Sequence, residues 1–182
     1  MNLIVDVGNT RVKFAVFDKN HLQWKTNFLL SDFESEFKAV KNKFPDVKSA
    51  IISSVGRLKK KYIDTVENDM RVVKLDSETK VPFQNNYKTP KTLGVDRIAL
   101  VTGSVLKFPN KNVLIIDAGT CITYDFINKN NIYLGGAISP GLRLRYQSLN
   151  DLTANLPLLE IKRPKKVIGN TTISSIHSGV VL

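Results

Sequence analysis

The sequence predicts an α/β fold built from two similar domains, and three observations lead to this prediction. First, residues 3–20 align on residues 114–130 with one residue deleted. Second, each copy has an apolar run that ends in Asp, then a Gly turn, then an alternating strand, which is the pattern of a β-hairpin. Third, helix and strand patterns alternate after the first copy. We therefore expect duplicated α/β domains with a central cleft between them.

The first domain is predicted over residues 1–112. After its hairpin, a third strand is expected at 22–27. Ser31 is a candidate N-cap for a helix over 32–43, in which Phe33, Phe37, Val40 and Phe44 form one apolar stripe. The same periodicities predict further strands at 47–53 and 72–75, and helices at 58–68 and 96–107.

The second domain is predicted over residues 113–182. A third strand is expected at 132–138, then a helix from Gly141 to about residue 155, a basic loop, and a helix that starts near Thr171. This last helix pattern reaches Leu182 without a cap or a breaker. If the two domains are equivalent, closing strands are missing, so we expect an incomplete second domain in a piece of a longer protein.

Composition narrows the class of protein. The chain has 182 residues, of which 42% are hydrophobic, enough to fill one large core or two small ones. No apolar run approaches the ~20 residues of a membrane span, and Met1 leads into a strand pattern without a basic leader. One cysteine excludes an internal disulfide, and two histidines argue against a Cys/His metal cluster. A cytoplasmic location is expected.

The net charge of +11 raises the question of nucleic-acid binding. The basic residues are spread along the chain, with only two dense clusters. One comprises Lys59, Lys60 and Lys61, and the other, residues 162–166, is interrupted by Pro164 and has no interleaved aromatics. Both clusters are interpreted as solvated surface, and nucleic acid is not an expected partner.

The two hairpin tips carry related polar motifs, with Asp6, Gly8 and Thr10 in the first copy and Asp117 and Thr120 in the second. A Gly turn lets backbone N–H groups approach phosphate oxygens, a Thr hydroxyl donates a further bond, and an Asp can hold a magnesium ion that bridges phosphates. Asp and Gly near a hairpin are often only turn residues. Two copies at equivalent positions favour a nucleotide phosphate site, and neither common Gly-rich nucleotide motif is present.

These motifs, together with several others, resemble the type III pantothenate kinases of the actin, sugar-kinase and Hsp70 superfamily. The resemblance covers essentially the whole chain. The further matching segments are Gly-x-Asp-Arg at residues 94–97, the Gly-rich segment 135–141, residues 169–172 and residues 178–179. The resemblance implies duplicated actin-like (ribonuclease H-like) domains, and the family normally continues some tens of residues beyond Gly179.

The resemblance implies ATP-dependent phosphorylation of pantothenate to 4'-phosphopantothenate, the first step of coenzyme A biosynthesis. It also implies a homodimer, because the family completes its pocket at a dimer interface. We expect Leu142, Leu144 and Leu149 to be exposed in a monomer. Two alternatives stay open: another sugar kinase or polyphosphatase of the superfamily, or a non-enzymatic transcriptional accessory or nucleic-acid-binding protein.

The resemblance also implies the roles of individual residues. Asp96 is the catalytic base, although from the sequence pattern alone a helix N-cap is the simpler interpretation. Asp117 holds a monovalent cation, K⁺ or NH₄⁺, or else mirrors Asp6 as a second Mg²⁺ group. Asp6 acts on Mg²⁺ through ATP. The substrate-binding residues are Tyr87, Gly94, Val95, Asp96, Arg97 and Thr172. The ATP-binding residues are Asp6, Val7, Gly8, Asn9, Thr10, Arg11, Val12, Lys13 and Thr120.

Overall fold

The computed structural model describes residues 1–8, 10–55 and 58–182. These residues form two compact units, Met1–Lys107 and Phe108–Leu182. Each unit contains a β-sheet and α-helices, so the predicted mixed α/β class is confirmed. The duplicated arrangement of actin-like domains stays a prediction, as does the domain boundary after residue 112.

The first unit is organised around a five-stranded sheet. Its strands are β1 (Asn2–Val7), β2 (Val12–Asp18), β3 (His21–Phe28), β4 (Ser49–Ser54) and β5 (Arg71–Lys74), in the order β3-β2-β1-β4-β5. The strands β1, β2 and β3 form an antiparallel meander, whereas β4 and β5 run parallel to β1. Parallel neighbours need crossover connections, which here are the helices α1 (Phe33–Lys43) and α2 (Lys60–Glu67).

Alternation along the central strands builds the core of the first unit. Every second residue of β1 and β2 is buried, and α1 and α2 cover that face. Phe14 makes edge-to-face contacts with Phe28 and Phe33, with ring centroids 4.7 Å and 5.2 Å apart. Burying such a side chain contributes about 1.5–3 kcal/mol. The core thereby fixes the register of β1 and β2, and with it the position of the turn between them.

The start of α1 differs from the prediction. Residues Leu30–Asp32 form a short 3₁₀ turn, and the helix begins at Phe33 with Asp32 as N-cap. Ser31 therefore does not cap it; the Ser31 hydroxyl donates to the Asp32 carboxylate, 3.0 Å away. The predicted apolar stripe is confirmed, since Phe33, Phe37 and Val40 are buried.

The rest of the first unit leads to its last helix. A two-residue strand, β6 (Gln84–Asn85), and a 3₁₀ turn at Pro90–Thr92 precede α3 (Val95–Lys107). The helix packs against β4. Ile98, Val101 and Val105 are buried, as predicted. The N-terminal turn of α3 carries the Gly-x-Asp-Arg motif.

The second unit opens with another antiparallel meander, formed by β7 (Val113–Ala118), β8 (Cys121–Ile127) and β9 (Ile132–Pro140). Its buried polar pair is satisfied internally, because the Tyr133 hydroxyl donates to the Asp125 carboxylate at 2.6 Å. Both residues are fully buried. A buried carboxylate without such a partner would be strongly destabilising.

Two helices follow, α4 (Leu142–Asp151) and α5 (Thr172–Val181), and they pack on each other through Tyr146, Ile176 and Val180. Leu142 and Leu149 are partly buried against this cluster, and Leu144 is partly buried as well. The expected exposure of these three leucines is therefore wrong; for Leu142 and Leu149 the reason is that they pack in the apolar cluster between α4 and α5.

The ends of these helices differ from the prediction or are locally capped. α4 stops at Asp151 rather than near residue 155, and beyond its end the Thr153 hydroxyl donates to the Leu149 carbonyl at 2.6 Å. The N-cap of α5 is Thr171, which forms a capping box with Ser174. Among the described residues, no helix is long and apolar enough to cross a bilayer.

Candidate active site

The turn between β1 and β2 is the first candidate phosphate site. Val7 pairs with Val12, so the chain reverses direction between these two residues. The Gly8 N–H donates to the Arg11 carbonyl at 3.0 Å, and a Cβ on Gly8 would lie only 3.3 Å from that oxygen. The side chains of Val7 and Val12 are buried and anchor the turn, so these residues can offer a ligand only backbone groups. Asn9, predicted to bind ATP, lies outside the described residues.

Charged side chains flank this turn. Asp6 and Lys13 are cross-strand partners, and the Lys13 ammonium lies 3.3 Å from the Asp6 carboxylate. The Arg11 guanidinium donates to Asn27 of β3 at 3.0 Å. Thr10, Arg11 and Lys13 are exposed. The turn thus combines cations, a hydroxyl and one carboxylate, which is a suitable set for a magnesium-bound phosphate chain.

The turn between β7 and β8 is the second candidate phosphate site. Ala118 pairs with Ile122, so three residues separate the paired positions, one fewer than between Val7 and Val12. The single deletion in the sequence alignment therefore falls in the turn. The Gly119 N–H donates to the Cys121 carbonyl at 2.9 Å, and the side chains of Asp117 and Thr120 are exposed.

A glycine at the start of α4 supports the second turn. The Gly141 N–H donates to the Thr120 carbonyl at 3.0 Å, and a Cβ on Gly141 would overlap the carbonyl oxygens of Gly119 and Thr120. Arg145 holds the end of β9 in place through bonds to the Pro140 carbonyl at 3.0 Å and the Ser139 hydroxyl at 2.9 Å. The sequence did not predict the structural role of Arg145. For Gly141, the sequence indicated only that it belongs to a Gly-rich segment.

Asp96, the predicted base, is the second residue of α3 and is partly buried. Its Oδ1 accepts the Arg97 N–H at 2.9 Å. Gly94 allows this geometry, because a Cβ there would overlap the same carboxylate oxygen. Within the part of the chain that the structure describes, no donor lies within hydrogen-bond distance of Oδ2. The carboxylate is thus fixed by one oxygen, and the other can accept a further hydrogen bond.

Arg97 and Tyr87, both predicted to bind substrate, are brought together. Arg97 is buried, and its guanidinium carbon lies 5.6 Å from the centroid of the Tyr87 ring, a cation–π distance. The Tyr87 N–H in turn donates to Asn85 at 2.9 Å. Gly94 and Val95 are partly buried beside them at the start of α3. These contacts connect the segment before α3 to the first turn of the helix.

Thr172 is the first residue of α5 and is exposed. Thr172 is not the N-cap of α5, because the preceding Thr171 performs that role. The capping box uses the Thr171 hydroxyl within the helix turn, so the Thr172 hydroxyl is the one that can contact a ligand.

The described side chains offer a metal ion few donors of their own. No cluster of three or more His, Cys, Asp or Glu side chains occurs among residues 1–8, 10–55 and 58–182. Magnesium, however, is commonly held by one or two carboxylates together with substrate phosphates. Asp6 and Asp117 each lie one residue before the end of a strand, next to a Gly turn. These residues therefore fit an ion that arrives with ATP.

Comparison with known proteins identifies the family. The family model for type III pantothenate kinase matches residues 2–182. The chain belongs to the type III pantothenate kinase family. Type III pantothenate kinases of Flavobacterium psychrophilum and Christiangramia forsetii are 49% and 50% identical to it over 181 residues. All of this chain is covered in each case, together with 75% and 74% of the relative.

The family relationship extends to more distant sequences and to a solved structure. The type III pantothenate kinase of Bacteroides fragilis is 41% identical over 184 residues, covering 99% of this chain and 74% of the relative. A Baf family protein from Campylobacter jejuni matches with a TM-score of 0.63 at 23% identity, over 98% of this chain and 73% of that one. At this identity the structural match supports the fold only.

Proposed function

We propose that this protein uses ATP to phosphorylate pantothenate to 4'-phosphopantothenate, the first step of coenzyme A biosynthesis. The observation that carries the proposal is the family match over residues 2–182, which includes both Gly turns and the Gly-x-Asp-Arg motif. We also propose that the two units are actin-like domains and that the protein works as a cytoplasmic homodimer.

The β1–β2 turn binds ATP phosphates through backbone N–H groups and through the side chains of Thr10, Arg11 and Lys13. Its geometry supports this role, because the buried Val7 and Val12 fix the turn and leave its polar groups exposed. The exposed Thr120 hydroxyl of the β7–β8 turn provides a further phosphate contact. Preorganised donors of this kind stabilise the charge that spreads over the phosphoryl oxygens in the transition state.

Asp96 accepts the proton of the primary alcohol of pantothenate. In a loose phosphoryl-transfer transition state the hydroxyl keeps its proton until late, so alignment matters more than basicity. The Arg97 N–H fixes Oδ1, and Oδ2 then aligns the hydroxyl for attack on the terminal phosphorus of ATP. The oxygen–phosphorus bond to the acceptor forms, the bond to ADP breaks, and the proton passes to Asp96.

Tyr87, Arg97 and Thr172 bind the acceptor, with Gly94 and Val95 supplying backbone at the start of α3. The guanidinium of the buried Arg97 lies 5.6 Å from the centroid of the Tyr87 ring, so the two side chains are held together and bring a positive charge to the start of α3. Pantothenate carries a carboxylate, and a guanidinium binds carboxylates with strong, directional hydrogen bonds. The acceptor would therefore be selected by its charge as well as by its hydroxyl.

Two ions complete the proposal. Mg²⁺, held by ATP and Asp6, would neutralise phosphate charge. A monovalent cation, K⁺ or NH₄⁺, at Asp117 would supply additional positive charge near the phosphates. The side chains of Asp6 and Asp117 would orient these ions through their carboxylate oxygens.

The test is a phosphorylation assay against a panel of small alcohols that contains pantothenate, sugars and polyols, with ADP release as readout and product mass as confirmation. We expect pantothenate to be phosphorylated at least tenfold faster than any sugar. Faster turnover of a sugar would support the alternative sugar kinase. ATP-independent binding of duplex DNA at physiological salt, with no phosphorylation, would favour the nucleic-acid-binding alternative.

A further inference from the structure

The second unit contains a cavity that none of the proposed catalytic roles uses. It has a volume of about 590 Å³ and lies between the loop of residues 162–170 and the first two turns of α5. We call it the basic-loop cavity. Its size falls within the range of about 300–1,000 Å³ that is typical of small-molecule sites.

The wall of the basic-loop cavity is attached to α5 at several points. Gly169 packs so closely on the backbone of Ser174 and Ser175 that a Cβ there would overlap it. The Asn170 N–H donates to the Ser174 hydroxyl at 3.0 Å, and the Ser178 hydroxyl donates to the Val167 carbonyl. The loop is therefore held in one conformation by contacts on either side of the cavity.

Positive charge is concentrated in this wall. Lys162, Arg163, Lys165 and Lys166 all line the cavity, and none of the four forms an ion pair with an acidic residue in the described part of the chain. The nearest acidic residue in sequence, Glu160, is paired with Arg143 at 3.2 Å. Four like charges within five residues repel one another, and an anion bound among them would relieve that repulsion.

His177 contributes a positioned polar group. It lines the cavity from α5, and its Nδ1 lies 2.7 Å from the hydroxyl of Tyr146, which is fully buried in α4. The buried tyrosine fixes the ring, so Nε2 is the nitrogen that can bond to a ligand. The remaining lining includes Asn170 and Thr171, and the apolar side chains of Ile168 and Ile173.

We propose that the basic-loop cavity binds a small molecule that carries two or more phosphate groups. A ligand with a single carboxylate carries one negative charge, fewer than the four cations of the cavity, whereas a di- or triphosphate chain carries several. Ile168 and Ile173 offer an apolar surface for the rest of the molecule. The loop has no aromatic side chains on which bases of a nucleic acid could stack, which favours a small molecule. This inference is independent of the proposed kinase activity.

The experiment measures pyrophosphate binding by calorimetry at physiological salt. The variant Lys165→Gln/Lys166→Gln removes two charges from the cavity, and Lys59→Gln/Lys60→Gln removes two charges from the other basic cluster, which lies at the start of α2. All four side chains are exposed, so both variants should fold. We expect the cavity variant to bind about tenfold more weakly and the matched control to change by less than about twofold.

A second cavity pair, Lys162→Gln/Arg163→Gln, should repeat the loss, and inorganic phosphate should bind at least about tenfold more weakly than pyrophosphate. Amide chemical shifts locate the ligand. Shifts at Gly169, Asn170 and His177 would support the proposal, whereas shifts confined to Gly8 and Gly119 would place pyrophosphate in the hairpin turns and overturn it.

Two further outcomes would overturn the inference. If the cavity variant and the control variant lose pyrophosphate affinity equally, pyrophosphate is attracted by the overall positive charge of the protein and not by the cavity. Displacement of pyrophosphate by pantothenate would mean that the cavity belongs to the acceptor site. A failure of the kinase assay would leave the inference standing, because pyrophosphate binding is measured without catalysis.

Discussion

The Gly141 nitrogen lies 3.0 Å from the Thr120 carbonyl oxygen, so the N-cap residue of α4 is hydrogen-bonded to the turn that carries the second predicted phosphate motif. There is no room for a side chain at this contact. We predict that Gly141→Ala displaces the turn, destabilises the protein by about 1–3 kcal/mol and weakens the use of ATP, seen as a raised KM.

Urea denaturation and steady-state kinetics measure the two effects of Gly141→Ala. The matched control is Gly103→Ala in α3, where a Cβ would meet nothing within 4 Å. Alanine there should stabilise the helix by up to about 1 kcal/mol and leave kinetics unchanged. An unaltered KM for ATP in Gly141→Ala would show that the contact does not position the turn.

The second prediction concerns Asp96. Asparagine retains an oxygen that can accept the Arg97 N–H, so the fold and ATP binding of Asp96→Asn should be preserved. The loss of the proton acceptor should lower kcat by a factor on the order of 10²–10⁴. Kinetics with pantothenate, together with circular dichroism, test this. A variant that retains more than half of the wild-type turnover would sink the assignment.

The third prediction separates binding from stability at Lys13. Lys13 forms an exposed ion pair with Asp6, with an N–O distance of 3.3 Å. The exposed pair of Lys61 with Glu34 has the same N–O distance of 3.3 Å and serves as the matched control. Exposed pairs contribute about 0–1 kcal/mol, so Lys13→Gln and Lys61→Gln should have similarly small effects on stability. Only Lys13→Gln should weaken ATP binding, by about tenfold. Equal ATP affinities in the two variants would contradict a phosphate role for Lys13.

The fourth prediction assigns the monovalent cation to Asp117. Activity should fall sharply when sodium replaces potassium, and Asp117→Asn should be poorly active in either salt. Magnesium titration is the control, because a simple magnesium ligand would be partly rescued by excess magnesium. If the wild type is equally active in sodium and potassium and excess magnesium restores the activity of Asp117→Asn, Asp117 is a magnesium ligand and not the monovalent-cation ligand.

The fifth prediction is a homodimer, which light scattering at micromolar concentration measures directly. It rests on the family and not on Leu142, Leu144 and Leu149, since all three side chains are partly buried within the unit. A monomeric mass accompanied by full activity would refute it.

Local patterns predicted the parts of the fold that depend on neighbouring residues. The alternation of β1 and β2 around a Gly turn was sufficient to place both strands, and the apolar stripe of α1 was correctly identified. The N-cap of α1 was not correctly predicted, because Ser31 and Asp32 are both favourable N-cap residues. The 3₁₀ turn at Leu30–Asp32 places Asp32, and not Ser31, at the N-cap position.

Contacts between distant residues could not be predicted from the sequence. The burial of Leu142 and Leu149 in α4 depends on α5, some thirty residues later in the chain. The Tyr87–Arg97 contact and the basic-loop cavity have no periodic signal. The family resemblance predicted Tyr87 and Arg97 separately as substrate-binding residues, but only the structure shows that their side chains are in contact.

The unequal lengths of the two hairpin turns indicate where this architecture tolerates insertions. The pairs Val7–Val12 and Ala118–Ile122 enclose hairpin turns of unequal length, and the antiparallel pairing behind both turns is continuous, so successive side chains along each strand point to opposite faces of the sheet. An insertion within a strand would exchange those faces and disrupt the core. Length variation among homologues should therefore accumulate at the hairpin tips, where ligand preference can change without refolding the sheet.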